Sequence, residues 1–487
     1  METRLIVVCG NDPEYLARVF QLIQIIEDEG ASPVVLDLSR LNPRIGNEYQ
    51  PSLLKAFRLD SPTKKFHAKT RELRIKLVYP SAVDFEIVAP RSIEDNQEIL
   101  DACESAVISY ARDPYPNMKH KRLGRLYDEL YAGALKSLGS VKFALDSFQV
   151  SEVYIPNGRF PHQRSSIIAA TEEAVKINFY EKGDFSESIY LQPYSALDRI
   201  ASQKDVDSFL AKYPNELVES IGDQWLESRM PNGLTRALNS YVKNFDYDNR
   251  GDIEHKSLES EWVGIFTSSQ DEFASLGKDW HLHEWNDQYS AIAEIISYVG
   301  SKQRVYLRVH PNFATKSHRA YKSELMQITL LTQMYPNLKV FMQDDTVNSY
   351  ELIKRSNVVV VWDSTIGLEA MILGKHVIEL AASYYDEYTG VSRCFSERDF
   401  QEAFDRKPMS TMSKAKKFAA YLSLREIPIT EVTRKLIQEF DIPLGTRRKC
   451  VQLLTTGGNP SSIFALAQLI DTLRHRKLKN SIRHLLR

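Results

Sequence analysis

A chain of 487 residues exceeds the length at which a single hydrophobic core usually stops growing, so two domains are expected. Hydrophobic residues make up 43% and charged residues 26%, a balance that is ordinary for a globular protein and argues against a large disordered fraction. The formal charge of −2 provides no overall field that would attract nucleic acid, so nucleic-acid binding is not expected.

The four cysteines stand far apart and form no CxxC pair, which argues against a disulfide framework or a zinc site. The first apolar run is too short for a signal peptide, and no stretch approaches the roughly 18 apolar residues that a spanning helix needs. We therefore expect a cytoplasmic protein that does not cross a membrane. The cysteines are Cys9, Cys103, Cys394 and Cys450.

The first part of the chain opens with a βαβ pattern and continues with alternating helical and strand-like segments. This alternation predicts a mostly parallel, doubly wound sheet with right-handed crossovers. A segment at about 40–80 has weak periodicity and is interpreted as an insertion. The predicted strands are 4–9, 33–38, 152–155 and 175–180, and the predicted helices are 13–29, about 92–112 and 121–147.

The second part alternates strand and helix more regularly, in the βα repetition of a nucleotide-binding domain. The predicted strands are 262–267, 304–309, 338–342, 357–362 and 376–380, with helices at about 286–299, 317–334, 348–355 and 364–373.

The sequence thus predicts an α/β fold with two Rossmann-like domains that face a central cleft. The tail after residue 473 mixes Lys and Arg with Leu and Ile, so it is read either as a solvated face or as a helix that rests on anionic lipid at the inner face of the cell membrane. The predicted parts are a first domain at 1–200, a helical bridge at 201–255, a nucleotide-binding domain at 256–400 and a helical region at 401–487 that ends in this basic amphipathic helix.

Candidate site residues are those that directly follow strands, because an open parallel sheet binds ligands beyond the carboxyl ends of its strands. In the second half, Ser268, Ser269 and His310 occupy such positions. The strand at 357–362 runs into a helix at Ser364 and Thr365, where free backbone N–H groups and hydroxyls would bind a phosphate. The alternative is that Asp363 or Ser364 only caps the helix.

Glu369 lies one helical turn beyond Thr365, so its carboxylate could accept hydrogen bonds from a ribose diol, or it could simply be a solvated helix residue. Gly367 costs the helix about 1 kcal/mol relative to Ala, which suggests close approach of a ligand or of backbone.

His310 precedes Pro311 at a strand end, where its imidazole could donate to a phosphate or to a developing charge. The alternative is a loop histidine that caps backbone. Asp344 and Asp345 are interpreted as caps rather than as a metal pair, and no metal is predicted.

In the first half, Asn157, Gly158 and Arg159 follow one strand, and Glu181 ends another. A carboxylate there could act as general base towards an acceptor hydroxyl, and an arginine could clamp an anionic group. Both segments could equally be plain turns, because Asn-Gly and Lys-Gly are turn sequences.

These motifs, with the segments 155–159 and 266–273, resemble the bacterial capsule polysaccharide biosynthesis transferases, which include Kdo transferases and share motifs with bacterial polysialyltransferases. The resemblance covers roughly 150–460 and rests mainly on His310-Pro311 and on the segment 364–370. It implies a glycosyltransferase of the GT-B fold.

In that family the His-Pro and Ser-Thr motifs bind the donor phosphate, and an acidic residue near a glycine of the first domain is the base. The resemblance therefore implies His310, Ser364 and Thr365 for donor binding and Glu181 as base, although Lys182 interrupts the family's motif. It implies no cofactor. The implied donor is a nucleotide sugar, with CMP-Kdo or CMP-sialic acid favoured over UDP- and GDP-sugars, and the implied acceptor is a surface polysaccharide or glycolipid.

Two other hypotheses fit the same sequence. One is a polyol-phosphate transferase or a nucleotide-sugar epimerase on the same fold, and the other is a non-catalytic binding protein that retains the fold.

Overall fold

The computed structural model describes residues 2–10, 12–41, 62–80, 87–183, 188–230, 262–274, 276–300, 303–345, 347–406 and 410–440. The predicted basic tail after residue 473, Cys450, the end of the predicted bridge and about half of the predicted insertion lie outside these ranges. None of the helices in the described part of the chain combines the length and hydropathy that a membrane-spanning helix needs.

The first domain contains a seven-stranded sheet in the order β13-β6-β5-β4-β1-β2-β3. Strands β1 to β5 are parallel, and towards one edge β6 pairs antiparallel with both β5 and β13. The strands are β1 Thr3–Val8, β2 Ser32–Asp37, β3 Lys76–Val78, β4 Val150–Pro156, β5 Lys176–Lys182, β6 Ser188–Gln192 and β13 Glu426–Pro428.

Helices cover both faces of this sheet, and each face has its own apolar core. On one face α3, α4 and α5 pack on the strands, and on the other face α1, α2 and α16 do so. The helix α1 begins where Asp12 accepts hydrogen bonds from the N–H groups of Glu14 and Tyr15, with Pro13 in the first turn. The helices are α1 Pro13–Asp28, α2 Pro62–Glu72, α3 Ile93–Ala111, α4 Lys121–Ser147, α5 Pro161–Glu172 and α16 Glu431–Phe440.

The second domain contains a six-stranded parallel sheet in the order β12-β11-β10-β7-β8-β9. The strand β10 carries four consecutive valines because both of its faces are buried under helices. The strands are β7 Trp262–Phe266, β8 Arg304–Arg308, β9 Leu338–Phe341, β10 Ser356–Val361, β11 His376–Glu379 and β12 Ser392–Arg393. The helices are α8 Gln270–Phe273, α9 Gln288–Val299, α10 His318–Met334, α11 Ser349–Arg355, α12 Thr365–Ile372, α13 Asp386–Thr389 and α14 Glu397–Asp405.

Three further helices pack against this second sheet, two that precede its strands in the chain and one that follows them. They are α6 Arg199–Leu210, α7 Asn215–Arg229 and α15 Met412–Leu424. Trp225 of α7 and Phe418 of α15 are buried in one core with the valines of β10. After α15 the chain returns to the first domain through β13 and α16. The region after residue 401, expected to be helical, therefore also contributes a strand to the first sheet.

The predicted fold class is confirmed, with two doubly wound parallel sheets between helical layers. Every strand and helix whose bounds are predicted above is present, with ends displaced by about two residues at most, whereas the predicted basic helix lies outside the described residues. The edge strands β3, β6, β12 and β13 were not predicted. They have two to five residues, too few to display an alternation of apolar and polar side chains.

Arg112, the residue that ends α3, reaches from the first domain into the second. Its φ of 51° lies in the left-handed region and turns the chain towards the cleft. Its guanidinium lies 2.8 Å from Oδ2 of Asp271 and donates to Oγ1 of Thr315 at 2.9 Å. Its carbonyl accepts a hydrogen bond from the N–H of Ser317. One residue thus joins the two domains through both side chain and backbone.

A second ion pair joins α6 to the second domain. Arg199 lies 2.7 Å from Asp386, and their side chains are 3% and 0% exposed. Gln203 donates to the same carboxylate, and Arg199 also donates to the carbonyl of Asp279. The fully buried carboxylate of Asp386 also accepts from the N–H groups of Ser383 and Glu387 and has Arg393 at 3.9 Å, so its charge is compensated within the protein. The contact therefore fixes α6 against the second domain.

Gly222 is the point at which α7 lies closest to α15. A Cβ added there would meet the backbone carbonyl oxygen of Lys416 at 2.4 Å. We predict that Gly222→Ala forces the two helices apart and lowers the free energy of unfolding by about 1–3 kcal/mol. Thermal and denaturant unfolding would measure the loss. Gly10→Ala is the control because an added Cβ there meets nothing within 4 Å, and equal stability of both variants would contradict the prediction.

Candidate active site

The carboxyl end of the second sheet brings together residues from neighbouring strands. The strand β7 lies between β8 and β10, with Phe266 opposite Arg308 on one side and Val361 on the other. Ser268 and Asp363, each two residues further on, are therefore neighbours at the edge. The sheet changes winding direction between β7 and β10, which is where open sheets of this type bind ligands.

His310 lies at this edge and is neutral. Its Nδ1 accepts a hydrogen bond from the N–H of Asn312 at 3.1 Å, so the proton of the neutral ring is on Nε2. Burial, assisted by the positive charges of Lys316, Arg112 and Arg308, lowers its pKa to about 4. Nδ1 of His310 thus caps a backbone N–H, as the alternative interpretation predicts, and the Nε2–H group remains able to donate to a ligand.

Arg112 and Lys316 were not predicted as site residues. Arg112 holds Asp271, which accepts a hydrogen bond from Oγ of Ser269 at 2.8 Å. Lys316 pairs with the buried carboxylate of Glu324. Arg112 acts on His310 from a distant part of the sequence, whereas Lys316 lies only six residues after it, and no motif marks either cation.

Ser268 offers a buried hydroxyl to this edge. Its side chain is 4% exposed, and its Oγ has no hydrogen-bond partner among the residues that the structure describes. Its backbone N–H and carbonyl are both bonded to the side chain of Gln288. Since buried polar groups are nearly always bonded, a ligand atom would complete the hydrogen bonding of Ser268.

Ser364 caps α12, since its Oγ accepts from the N–H of Ile366 at 3.3 Å. Thr365 is the first residue of the helix and accepts from the hydroxyl of Tyr384 at 3.4 Å. The side chains of Ser364 and Thr365 are half-buried, so they remain accessible at the N-terminus of the helix. The capping interpretation and the predicted phosphate role of Ser364 are compatible, because capping uses one acceptor lone pair of the hydroxyl.

Gly367 has Tyr385 as its close neighbour. An added Cβ would lie 2.2 Å from the Tyr385 hydroxyl, which donates to the carbonyl of Ser364 at 2.6 Å. The close approach expected at Gly367 is therefore made by a tyrosine that the sequence did not point to, and contact with a donor there stays a prediction.

Glu369 is turned towards the bridge rather than into an open edge. Its side chain is 3% exposed and lies 3.3 Å from Nε of Arg229 at the end of α7. Burial raises the pKa of Glu369, while Arg229 and a hydrogen bond from Tyr350 oppose that rise. The geometry makes Glu369 part of a buried ion pair, and its role with a ribose stays a prediction.

Asp345 stabilises a turn, because its carboxylate accepts from the N–H of Met342 at 2.6 Å. The cap of α11 is Asn348, not the expected Asp344 or Asp345. Within the described ranges no group of three His, Cys, Asp or Glu side chains is arranged to hold a metal ion.

Asn157 and Glu181 meet at the carboxyl end of the first sheet. The amide of Asn157 donates to Oε2 of Glu181 at 2.7 Å, while the N–H of Lys182 donates to Oε1. Burial raises the pKa of Glu181 to about 7, against the opposing effects of that N–H and of the Lys182 charge. The Lys182 ammonium itself pairs with Glu14 of α1.

Gly158 and Asn157 form a left-handed turn with φ values of 98° and 54°. An added Cβ on Gly158 would lie 2.7 Å from Oγ of Ser195, which donates to the carbonyl of Asn157. The predicted turn is thus present, and it positions the Asn157 amide beside Glu181.

Arg159 faces the second domain across the cleft. Its Nε donates to Ser105 at 2.8 Å. Burial and the adjacent Asp271 raise the pKa of Glu272, whereas Arg112, a hydrogen bond from Asn312 and the charge of Arg159 oppose that rise. Arg159, three residues beyond the end of β4, therefore acts electrostatically on Glu272 of α8, so the turn after β4 lies near α8 of the second domain.

Comparison with known proteins gives one family match. The model of the family described as "Capsule polysaccharide biosynthesis protein" matches residues 285–424. No curated protein sequence matches the chain significantly.

Solved structures with a similar course of the chain include two domains from Thermosulfurimonas dismutans. KpsC, beta Kdo 2,4 transferase, is 14% identical with a TM-score of 0.39 and covers 59% of this chain and 87% of its own. KpsC, beta Kdo 2,7 transferase, is 12% identical with a TM-score of 0.37 and covers 62% and 87%.

A third is the UDP-GlcNAc 2-epimerase from Neisseria meningitidis bound to UDP-GlcNAc, which is 12% identical with a TM-score of 0.31 and covers 93% of this chain and 100% of its own. With all three TM-scores below 0.5, these likenesses carry no argument about function. The family match includes His310, Ser364, Thr365 and Glu369, and over residues 285–424 it confirms the predicted resemblance to the capsule polysaccharide biosynthesis proteins.

Proposed function

We propose that the protein is a GT-B glycosyltransferase that moves a sugar from a nucleotide-sugar donor to a saccharide acceptor. The observation that carries this proposal is the contrast between two groups on facing sheet edges. His310 is held neutral with its Nε2 proton available to an anion, while burial raises the pKa of Glu181 to about 7, which suits a general base.

The donor phosphate would lie at the edge of the second sheet. The N-terminus of α12, the hydroxyls of Ser364 and Thr365 and the Nε2–H of His310 provide hydrogen-bond donors to phosphate oxygens. These donors stabilise the negative charge that develops on the leaving nucleotide as its bond to the sugar breaks.

We favour a CMP-activated acidic sugar such as CMP-Kdo or CMP-sialic acid as the donor. Such a donor carries a sugar carboxylate beside its phosphate, so it presents two anionic groups. The cations of Lys316, Arg112 and Arg308 surround His310, as their effect on its pKa indicates. Their positive potential suits a doubly anionic donor, and the preference for the CMP-activated class comes from the resemblance of the sequence motifs.

The acceptor hydroxyl would approach from the edge of the first sheet. Glu181 takes its proton as the acceptor oxygen forms a bond to the anomeric carbon, and the bond from that carbon to the phosphate oxygen breaks. Asn157 orients the Glu181 carboxylate through its amide. Arg159 would bind an anionic group of the donor at the meeting point of the two edges.

Nucleotide binding tests the donor half of the proposal. We expect CMP to raise the melting temperature more than UDP, GDP or CDP does. Loss of a hydrogen bond to a charged phosphate costs about 1.5–3 kcal/mol, so His310→Ala should weaken CMP binding about 10- to 100-fold in calorimetric titration. The exposed His120, changed to Ala, should leave binding unchanged. Absence of stabilisation by every nucleotide, together with an unaffected His310→Ala variant, would rule out the donor site.

The pH profile tests the base. Because the pKa of Glu181 is raised to about 7, its carboxylate form and therefore kcat/KM should increase as the pH rises through about 7. Glu181→Gln should abolish this increase of kcat/KM with pH and reduce kcat by about 10²- to 10⁴-fold. Glu216→Gln, a change at an exposed helix position, is the matched control. If kcat/KM of Glu181→Gln still increases over the same pH range, the assignment of Glu181 as the base is refuted.

Incubation with the nucleotide sugar alone separates the alternatives. An epimerase converts the donor without an acceptor, and a polyol-phosphate transferase consumes a CDP-polyol and releases CMP. Donor turnover no faster than background in the presence of acceptors would favour the non-catalytic hypothesis.

Arg112 should control the protonation of His310. Arg112→Met removes one cation that lowers the His310 pKa and leaves the carboxylate of Asp271 unpaired, so that pKa should rise in an NMR titration. Removing one partner of a buried ion pair also costs about 3–5 kcal/mol, part of which Asp271→Asn should recover. Lys119→Met, at an exposed position, should change neither quantity. An unchanged His310 titration in Arg112→Met would show that this cation has no influence.

A further inference from the structure

A cavity of about 530 Å³ lies between the two domains, on the face of the first sheet that α3 and α5 cover. Its walls come from these helices, from β5, from the loop that follows β6 and from the turn that follows α8 in the second domain. Its volume is within the range of about 300–1,000 Å³ that small-molecule sites occupy. None of the predicted donor-binding residues lines it.

The cavity lies on the same face of β5 as the proposed base. Ile177 and Phe179 line it, and since side chains alternate along a strand, Glu181 projects from the same face of β5. Ser195, another lining residue, is bonded to the carbonyl of Asn157, whose amide holds Glu181. A molecule in the cavity would therefore present its end to the carboxylate of Glu181.

The walls combine aromatic faces with carboxylates. Phe179 and Tyr194 supply the rings, and the Tyr194 hydroxyl is fixed by a hydrogen bond to Asp205. Aromatic faces pack against the C–H surface of sugar rings, and carboxylates accept hydrogen bonds from sugar hydroxyls. The carboxylates are those of Glu98, Asp101, Asp198 and Asp279.

Positive charge is weaker on these walls. Among the described lining residues the cationic side chains are Arg159 and Arg164, and Arg164 lies 3.4 Å from Glu98. Asp101 and Asp279 are exposed at the rim. Carboxylates concentrated in a cleft repel anions and attract amines and hydroxyl donors.

We propose that this cavity binds the end of the acceptor, that this end is an uncharged or amino-bearing saccharide, and that the cavity discriminates against acidic saccharides. The inference rests on the proposed transferase function and assigns the charge class of its acceptor. It separates the two substrates by charge, with anion-binding groups at the donor edge and carboxylates around the acceptor.

Three trisaccharides of equal length test this discrimination on the full chain. They are N,N′,N″-triacetylchitotriose, which is neutral, chitotriose, which carries amines, and trigalacturonate, which is acidic. We expect calorimetric or NMR titration to give dissociation constants for the first two at least about tenfold below that of trigalacturonate. Tighter or equal binding of trigalacturonate would overturn the proposal, and so would failure of all three to bind.

Variants that neutralise carboxylates of the lining test whether the discrimination against acidic saccharides arises in this cavity. Asp101→Asn and Asp279→Asn, combined, preserve side-chain volume at two exposed positions and should reduce the discrimination to about threefold or less. Glu104→Gln, at an exposed position of α3 outside the cavity, should retain it. Undiminished discrimination in the double variant would overturn the assignment to this cavity.

The saccharide titrations contain no nucleotide and the nucleotide titrations contain no saccharide, so the two proposals are tested separately. Loss of CMP binding with intact saccharide discrimination would count against the proposed donor site. CMP binding without saccharide discrimination would count against this cavity.

Discussion

The ion pair between Arg112 and Asp271 crosses the cleft and links the end of α3 to the edge of the second sheet. Asp271 in turn accepts from Ser269, and the Arg112 charge acts on both Glu272 and His310. Because Asp271 is fully buried, separation of the domains would leave its carboxylate without its cation. The Arg112–Asp271 contact thus contributes both to the relative position of the two sheet edges and to the electrostatics of the candidate donor site.

Burial acts in opposite directions on the two titratable groups that the proposed mechanism uses. It disfavours the charged form of each, so it lowers the pKa of His310 and raises that of Glu181. A neutral imidazole offers one N–H to an anion, and a carboxylate with a pKa near 7 can accept a proton at neutral pH. Neither property belongs to the residue type alone, since both depend on the surroundings of the side chain.

The candidate site was predicted in part. Ser268, His310 and Ser364 were found because each directly follows a strand, and a parallel sheet gathers such positions at one edge. Lys316 and Tyr385 were missed, because their proximity to the site arises from loops and helices whose packing no local pattern encodes. The cavity beside β5 was equally unpredictable, since its walls come from five separated segments of both domains.

The sequence by itself determined the alternation of strands and helices, the class of the fold and the strand-end residues, because these follow from hydrophobic period and chain direction over a few residues. The tertiary structure decided which charges meet. Glu369 looked from its helical position like a ligand-binding carboxylate, yet packing of α7 against the second domain pairs it with Arg229. Glu181 was predicted from its position either as a general base or as a turn residue, and the burial that raises its pKa to about 7 is a property of the tertiary structure. Coulombic and desolvation energies depend on distances in space, which separation along the chain does not specify.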